Sequence, residues 1–225
     1  WEIANEQALE APLAKGPTQP LFNPALFLNG PSNKHTRWRV DFNGLGSPAY
    51  CPTVRRTPAI EALLDEDILG QTRNFIESID PQMVQRAVRW AYLSETESSY
   101  AIEREAPVGN KAEAFARLLA RAHEEEALSE DYLVELQNLT VRSSIDQAVQ
   151  YRNEQNWLRR DSSVTYVPPS PKQLPAVMDG LLAMANRKSD TIHPLVLGSL
   201  ISYVFAHPFM DGNGRLSRFL FHKMA

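Results

Sequence analysis

The stretch HPFMDGNGRLSR, residues 207–218, places a histidine, an acid, two glycines and two arginines near the end of the 225-residue chain. It follows a nearly wholly apolar run, residues 193–206, and leads into another apolar run. This order predicts a buried helix, a glycine-rich turn and a second helix. Such a turn presents free backbone N–H groups and the positive end of a helix dipole, which together favour an anion. The stretch therefore predicts an anion site in a mainly α-helical protein.

The residue types in the turn favour a polyphosphate over a single carboxylate. Gly212 and Gly214 let the backbone approach a phosphate because neither carries a Cβ atom. Arg215 and Arg218 lie three positions apart, on one face of the predicted helix. Two guanidinium groups beside free backbone N–H groups match several phosphate oxygens at once.

Two further side chains of the stretch have chemistry that phosphate transfer needs. Asp211 offers a hard oxygen ligand, which is how Mg²⁺ is usually held when substrate phosphates supply other ligands. His207 titrates near neutral pH and is a candidate general base. Each feature alone is more often structural, and their joint occurrence in one short loop favours the functional interpretation.

The same stretch resembles a known family signature. It matches the pattern HPFx(D/E)GNGRxxR of Fic-domain proteins (the Fic/Doc family) at every defined position. Upstream, YRNEQNW and TYVPPSPKQLP resemble the substrate-aligning flap of the family, so the resemblance covers roughly residues 93–225. It implies a mainly α fold, a Fic-type helical bundle with a short β-hairpin flap at about residues 157–169.

The resemblance also implies an activity, the transfer of AMP from ATP to a hydroxyl side chain of a target protein. By position, His207 is similar to the base that deprotonates the hydroxyl, Asp211 to the Mg²⁺ ligand and Phe209 to the apolar anchor of the loop. The remaining positions resemble the anion hole and the phosphate ligands: Gly212, Asn213, Gly214, Arg215 and Arg218. Gly214 is altered in family members with kinase chemistry, so its presence favours AMP transfer.

A second resemblance concerns regulation. SSYAIERE, residues 98–105, is similar to the inhibitory motif (S/T)xxxE(G/N) of autoinhibited Fic proteins, in which the helix precedes the core. Ser99 and Glu103 occupy the defined positions, and the glutamate would pair with Arg218 and prevent productive ATP binding. Arg104 departs from the usual Gly or Asn. The alternative is that Glu103 belongs to an ordinary charged helix face.

Along the chain, three regions differ in character. Residues 1–58 are rich in proline and turn residues and predict an irregular segment with one strand over residues 37–42. Residues 59–110 have helical periodicity and include the inhibitory motif. Residues 111–225 correspond to the expected Fic core, and the chain looks like a fragment of a longer protein.

Composition limits the possible partners and compartments. The net charge of -4 gives no basic footprint, so no nucleic acid is expected. No apolar run reaches the roughly 20 residues that span a bilayer, so no membrane is expected. The single cysteine, Cys51, fits a reducing, cytoplasmic setting. The expected partners are ATP, Mg²⁺ and a protein with a Ser, Thr or Tyr hydroxyl, and a homodimer is possible.

Two other functions stay open at this point. The same site could remove AMP from a modified protein, with Glu103 positioning water, or transfer another phosphate-linked group. The protein could also be a regulatory module that senses nucleotide without turnover.

Overall fold

The computed structural model describes residues 15–102, 111–141, 146–187 and 192–224. The described residues form eight α-helices and five short strands, so the predicted mainly α class is confirmed. The helices are α1 (Pro58–Asp65), α2 (Ile68–Ser78), α3 (Pro81–Ile102), α4 (Lys111–Ala120), α5 (Glu130–Thr140), α6 (Leu174–Ala185), α7 (Ile192–Ala206) and α8 (Asn213–Met224). The strands are β1 (Gln19–Pro20), β2 (Asn33–His35), β3 (Val40–Phe42), β4 (Leu158–Arg160) and β5 (Ser163–Tyr166).

Short polar side chains begin several helices. Thr57 caps α1, and Asp67 caps α2, accepting hydrogen bonds from Ile60 and Gly70 respectively. The cap at Asp67 explains why residues 59–79 form two helices. Ser129 caps α5 through a 3.1 Å bond from the Tyr132 amide, as its position in the sequence predicts.

The core is built around α7 and the two helices that pack on it, α6 and α8. Tyr203 of α7 and Leu216 and Phe219 of α8 are fully buried, with α4 and α5 closing the other side. The nearly all-apolar sequence of α7 predicts this central place. None of the helices in the described ranges combines the length and apolarity that crossing a bilayer requires.

Residues 15–58 form more regular structure than their sequence indicates. Three short strands form a sheet in the order β1-β3-β2, with β2 antiparallel and β1 parallel to β3. The prediction of one strand over residues 37–42 is wrong in extent, because residues 36–39 form the turn between β2 and β3, with Arg39 at a φ of 54°. Tyr50 packs against Gly180 of α6, where a Cβ would come within 2.4 Å of the Tyr50 ring. Through this contact the N-terminal region packs on the helical core.

Two elements in the middle of the chain differ in detail from the sequence prediction. The sequence of residues 111–128 has the amphipathic pattern of one helix, but α4 ends at Ala120 and is followed by one 3₁₀ turn, Arg121–His123. The predicted flap is present as an antiparallel hairpin of β4 and β5 with Asp161 at a φ of 56° in its turn. Tyr166 ties this hairpin to α7, because its hydroxyl donates a 2.7 Å hydrogen bond to the Phe205 carbonyl.

Candidate active site

The first half of the signature, residues 207–212, forms a loop between α7 and α8, and the second half begins α8. The loop begins with an unusual backbone conformation. His207 follows the last residue of α7 and has a φ of 48°, in the left-handed region that residues other than glycine rarely adopt. Its amide still donates to the Tyr203 carbonyl at 3.0 Å, which completes the last turn of α7. The chain therefore leaves the helix sharply, and His207 lies at the point of the turn.

Phe209 and Asn213 hold the loop in shape. The Phe209 side chain is 1% exposed and lies 5.7 Å from the Tyr151 ring, centroid to centroid. The Asn213 amide group closes the loop, because it accepts from the Phe209 amide at 3.0 Å and donates to the Phe209 carbonyl at 2.7 Å. Asn156 donates to the same carbonyl at 3.2 Å. These contacts place Asn213 at the start of α8, where it organises the backbone around the predicted anion site.

Gly212 brings the loop close to α5. It has a φ of 82°, and a Cβ added there would lie 3.1 Å from the Thr140 hydroxyl and 3.4 Å from Val141. Both the conformation and the close approach explain why glycine occupies this position.

Arg215 lies beneath the loop. Its side chain is 1% exposed, and its Nη1 donates to the Thr140 carbonyl at 2.9 Å. Its Nη2 lies 3.4 Å from each Asp211 carboxylate oxygen, and its guanidinium lies 5.6 Å from the centre of the Tyr100 ring. The structure thus gives Arg215 a supporting position in addition to the phosphate contact that the sequence predicts, and that contact stays a prediction.

His207 is half-buried beside charged groups of both signs. Burial lowers the pKa of its imidazole, and the positive charge of Arg152 lowers that pKa further, while Asp211 acts in the opposite direction. A lowered pKa keeps the ring neutral at pH 7, and a neutral imidazole is the form that can accept a proton.

Asp211 has the environment of a carboxylate that can take a cation from solvent. Its side chain is 41% exposed, so the carboxylate stays accessible to solvent although Arg215 lies 3.4 Å away. Among the described residues no group of three or more His, Cys, Asp or Glu side chains could hold a metal alone. A single carboxylate fits Mg²⁺ bound mainly through substrate phosphates and water. The donor set is consistent with that mode.

The regulatory residues are only partly covered by the described structure. Ser99 lies in the last turns of α3 and is fully buried. Glu103 lies outside the described residues. Arg218 is half-buried and lines a cavity of about 350 Å³ together with Glu95 of α3 and Ser217. The last turns of α3 therefore lie next to the signature helix, as the Tyr100–Arg215 contact also indicates.

Several residues that shape the site were missed by the sequence reasoning. Thr140 contributes a backbone carbonyl, and Gln137 donates to the Asp211 carbonyl at 3.4 Å. Neither residue has a motif or spacing that could have identified it. Arg152 and Asn156 belong to YRNEQNW, which resembles part of the family's flap, and both also donate to the signature loop.

Comparison with known proteins agrees with this geometry. Residues 127–225 match the sequence model of the Fic/DOC family. A protein adenylyltransferase Fic of Drosophila yakuba is 40% identical over 62 residues, which are 26% of this chain and 12% of that protein. One of Nematostella vectensis is 41% identical over 61 residues, or 24% and 14%. The matched region thus spans about an eighth of the length of these curated relatives.

Two solved structures share the fold. A Fic family protein of Desulfovibrio desulfuricans G20 aligns with a TM-score of 0.56 at 21% identity, over 78% of this chain and 59% of that one. A Fic domain containing signaling protein of Bacteroides thetaiotaomicron aligns with a TM-score of 0.52 at 20% identity, over 67% and 69%. Signature, sequence match and fold all agree, and residues 127–225 of the chain therefore belong to the Fic/DOC family.

Proposed function

We propose that the protein is a Mg²⁺-dependent protein adenylyltransferase that transfers AMP from ATP to a hydroxyl side chain of a target protein. The observation that carries the proposal is the loop itself, which holds both His207 and Asp211 between the end of α7 at Ala206 and the start of α8 at Asn213. The adenylyltransferases of Drosophila yakuba and Nematostella vectensis support the choice of reaction by their similarity to this region.

In this mechanism His207 accepts the proton of the target hydroxyl while that oxygen attacks the α-phosphate and pyrophosphate leaves. The free N–H groups at the start of α8, which begins at Asn213, face the developing negative charge. Arg218 carries a positive charge on the same helix and is assigned to the outer phosphates. Mg²⁺, when held by Asp211 and the phosphates, would neutralise charge on the leaving group.

Regulation by Glu103 is part of the proposal. The glutamate would pair with Arg218 and compete with the γ-phosphate for the guanidinium. The supporting observation is the position of α3, whose Tyr100 packs on Arg215 and stands three residues before Glu103 in the sequence. The cytoplasm is the proposed compartment, since it supplies both ATP and target proteins.

The test compares ATP labelled at the α-phosphate with ATP labelled at the γ-phosphate. Adenylyl transfer predicts protein labelling, on targets or on the enzyme itself, from the α-label alone. His207→Ala should lower the rate by about 10²- to 10⁴-fold with ATP binding retained, and Asp211→Asn should remove the response to Mg²⁺. Labelling from γ-labelled ATP would show phosphoryl transfer, and labelling that does not depend on His207 would contradict the assignment of the base.

A further inference from the structure

Arg152 is a buried cation that the proposed mechanism does not use. The residue is 6% exposed and stands six positions before the hairpin of β4 and β5. Its guanidinium donates to four backbone carbonyl oxygens: His207 at 2.9 Å, Ala206 at 3.4 Å, Glu154 at 3.1 Å and Pro169 at 2.5 Å. Its own amide donates to the Pro208 carbonyl at 2.8 Å. One residue thus contacts three consecutive carbonyls at the start of the signature loop.

The end of α7 explains why a cation is favourable there. The last carbonyl groups of a helix lack intrahelical partners and carry the negative end of the helix dipole. A guanidinium group is planar and offers five donors in a fixed arrangement, so it can satisfy several of these oxygens at once. One of these oxygens is the carbonyl of His207 itself. The left-handed backbone conformation of His207 is energetically costly and persists only where surrounding contacts hold it.

The same guanidinium reaches the flap. Glu154 and Pro169, whose carbonyls it also contacts, lie before and after the hairpin of residues 158–166. The Arg152 side chain is therefore hydrogen-bonded both to the two ends of the flap segment and to the turn at His207. The Tyr166 hydroxyl adds a second link, from the hairpin to α7.

We propose that Arg152 is a positioning residue that fixes His207 relative to the flap, so that the base meets the hydroxyl of a segment aligned by the flap. This inference rests on the proposed function and deepens it. A general base must lie within about 2.6–3.2 Å of the proton that it accepts. A displacement of about 1 Å can cost on the order of 100-fold in rate. The guanidinium would set this distance because it contacts the backbone of His207 and the backbone on both sides of the flap hairpin.

The test uses Arg152→Lys and Arg152→Gln, with Arg187→Gln as the matched control. Arg187 also donates to two backbone carbonyls, those of Leu45 and Gly46. These bonds brace the N-terminal region, and within the described residues none of its hydrogen bonds goes to the signature loop. Both Arg152 variants should lower the maximal rate of AMP incorporation by about 100-fold, with the dissociation constant for ATP within threefold of wild type. Lysine keeps the charge but not the planar arrangement, so it should not restore the rate.

Amide hydrogen exchange gives a readout that needs no activity. In both Arg152 variants, peptides from residues 163–170 and from residues 206–214 should exchange about tenfold faster together, while peptides from α5 keep the wild-type rate. Arg187→Gln should change neither segment. If Arg152→Gln does not fold, the lysine variant decides.

Two results would overturn the inference. One is a folded Arg152→Lys protein that transfers AMP within threefold of the wild-type rate. The other is faster exchange in one segment without the other. If the wild-type protein transfers no AMP, the proposed function has failed by itself, and joint or separate exchange of the two segments still decides whether Arg152 couples them.

Discussion

Gly212 lies against Thr140 and Val141 in a conformation that only glycine adopts at low cost. Gly212→Ala should cost about 1–2 kcal/mol of unfolding free energy for the left-handed backbone alone. A loss of this size lowers Tm by several degrees in a domain of about 200 residues. It should also reduce AMP transfer, because the first free N–H groups of α8 follow directly. Differential scanning calorimetry and the rate of labelling measure the two effects.

Gly16 provides the control for that prediction. Nothing lies within 4 Å of a Cβ added there, so Gly16→Ala should leave both Tm and activity unchanged. A Gly212→Ala protein with wild-type stability and rate would show that the loop tolerates a side chain at this point.

At the scale of elements, the flap depends on a small number of contacts with the helices. Tyr166 packs on Phe205 at 6.2 Å between ring centroids and also donates to its carbonyl. Tyr166→Ala should therefore detach the hairpin, and trypsin should cleave after the exposed Arg159 or Arg160 on the order of tenfold faster. Tyr166→Phe keeps the ring contact but loses the hydrogen bond, so its cleavage rate should lie between those of the wild type and Tyr166→Ala. Equal cleavage rates in all three proteins would mean that the flap is held by other contacts.

The regulatory prediction concerns Glu103, which follows the last residue of α3 in the sequence. Glu103→Gly should raise the rate of AMP incorporation, because Arg218 then becomes available to the γ-phosphate. Removing one partner of an ion pair leaves the other charge unmatched, so the variant should melt at a lower temperature without nucleotide. ATP with Mg²⁺ should recover part of that loss, because it binds the folded state. If the rate of AMP incorporation is unchanged or lower and ATP binds no more tightly, Glu103 does not inhibit. The alternative, that it belongs to an ordinary charged helix face, would then hold.

For the molecule as a whole, two half-buried histidines predict how stability depends on pH. Burial lowers the pKa of His207 and of His222 below the ordinary value of 6.5. As pH falls through 6.5, the unfolded chain binds protons before the folded protein does, so the free energy of unfolding decreases. Once the pH is below the pKa values of these histidines in the folded protein, their protonation no longer lowers the free energy of unfolding. Tm should therefore fall as the pH is lowered from 7.5 to 5.5. The double variant His207→Gln with His222→Gln should show a weaker dependence of Tm on pH. The same slope in that double variant would contradict the prediction.

How much the sequence predicts differs between local and distant features. The signature loop, the cap at Ser129 and the flap hairpin follow from neighbouring residues, since turns and caps are local. The cap at Asp67 is local too, but the sequence did not single it out. The sheet of the N-terminal region depends on pairing between β1 and β3, some twenty residues apart, and proline-rich composition conceals it. The role of the Arg152 guanidinium depends on contacts with residues up to 55 positions away. No spacing rule reports such contacts.

The bond from Arg215 to the Thr140 carbonyl joins positions 75 residues apart and uses only the backbone of one partner. Any amino acid at position 140 could supply that oxygen, so sequence comparison cannot detect the contact by residue identity. The twelve signature residues transplanted into another helix–turn–helix would lose this support, along with the carbonyl contacts of Arg152. A chain that carries the signature without these surroundings would be recognised as a relative and still lack a formed site.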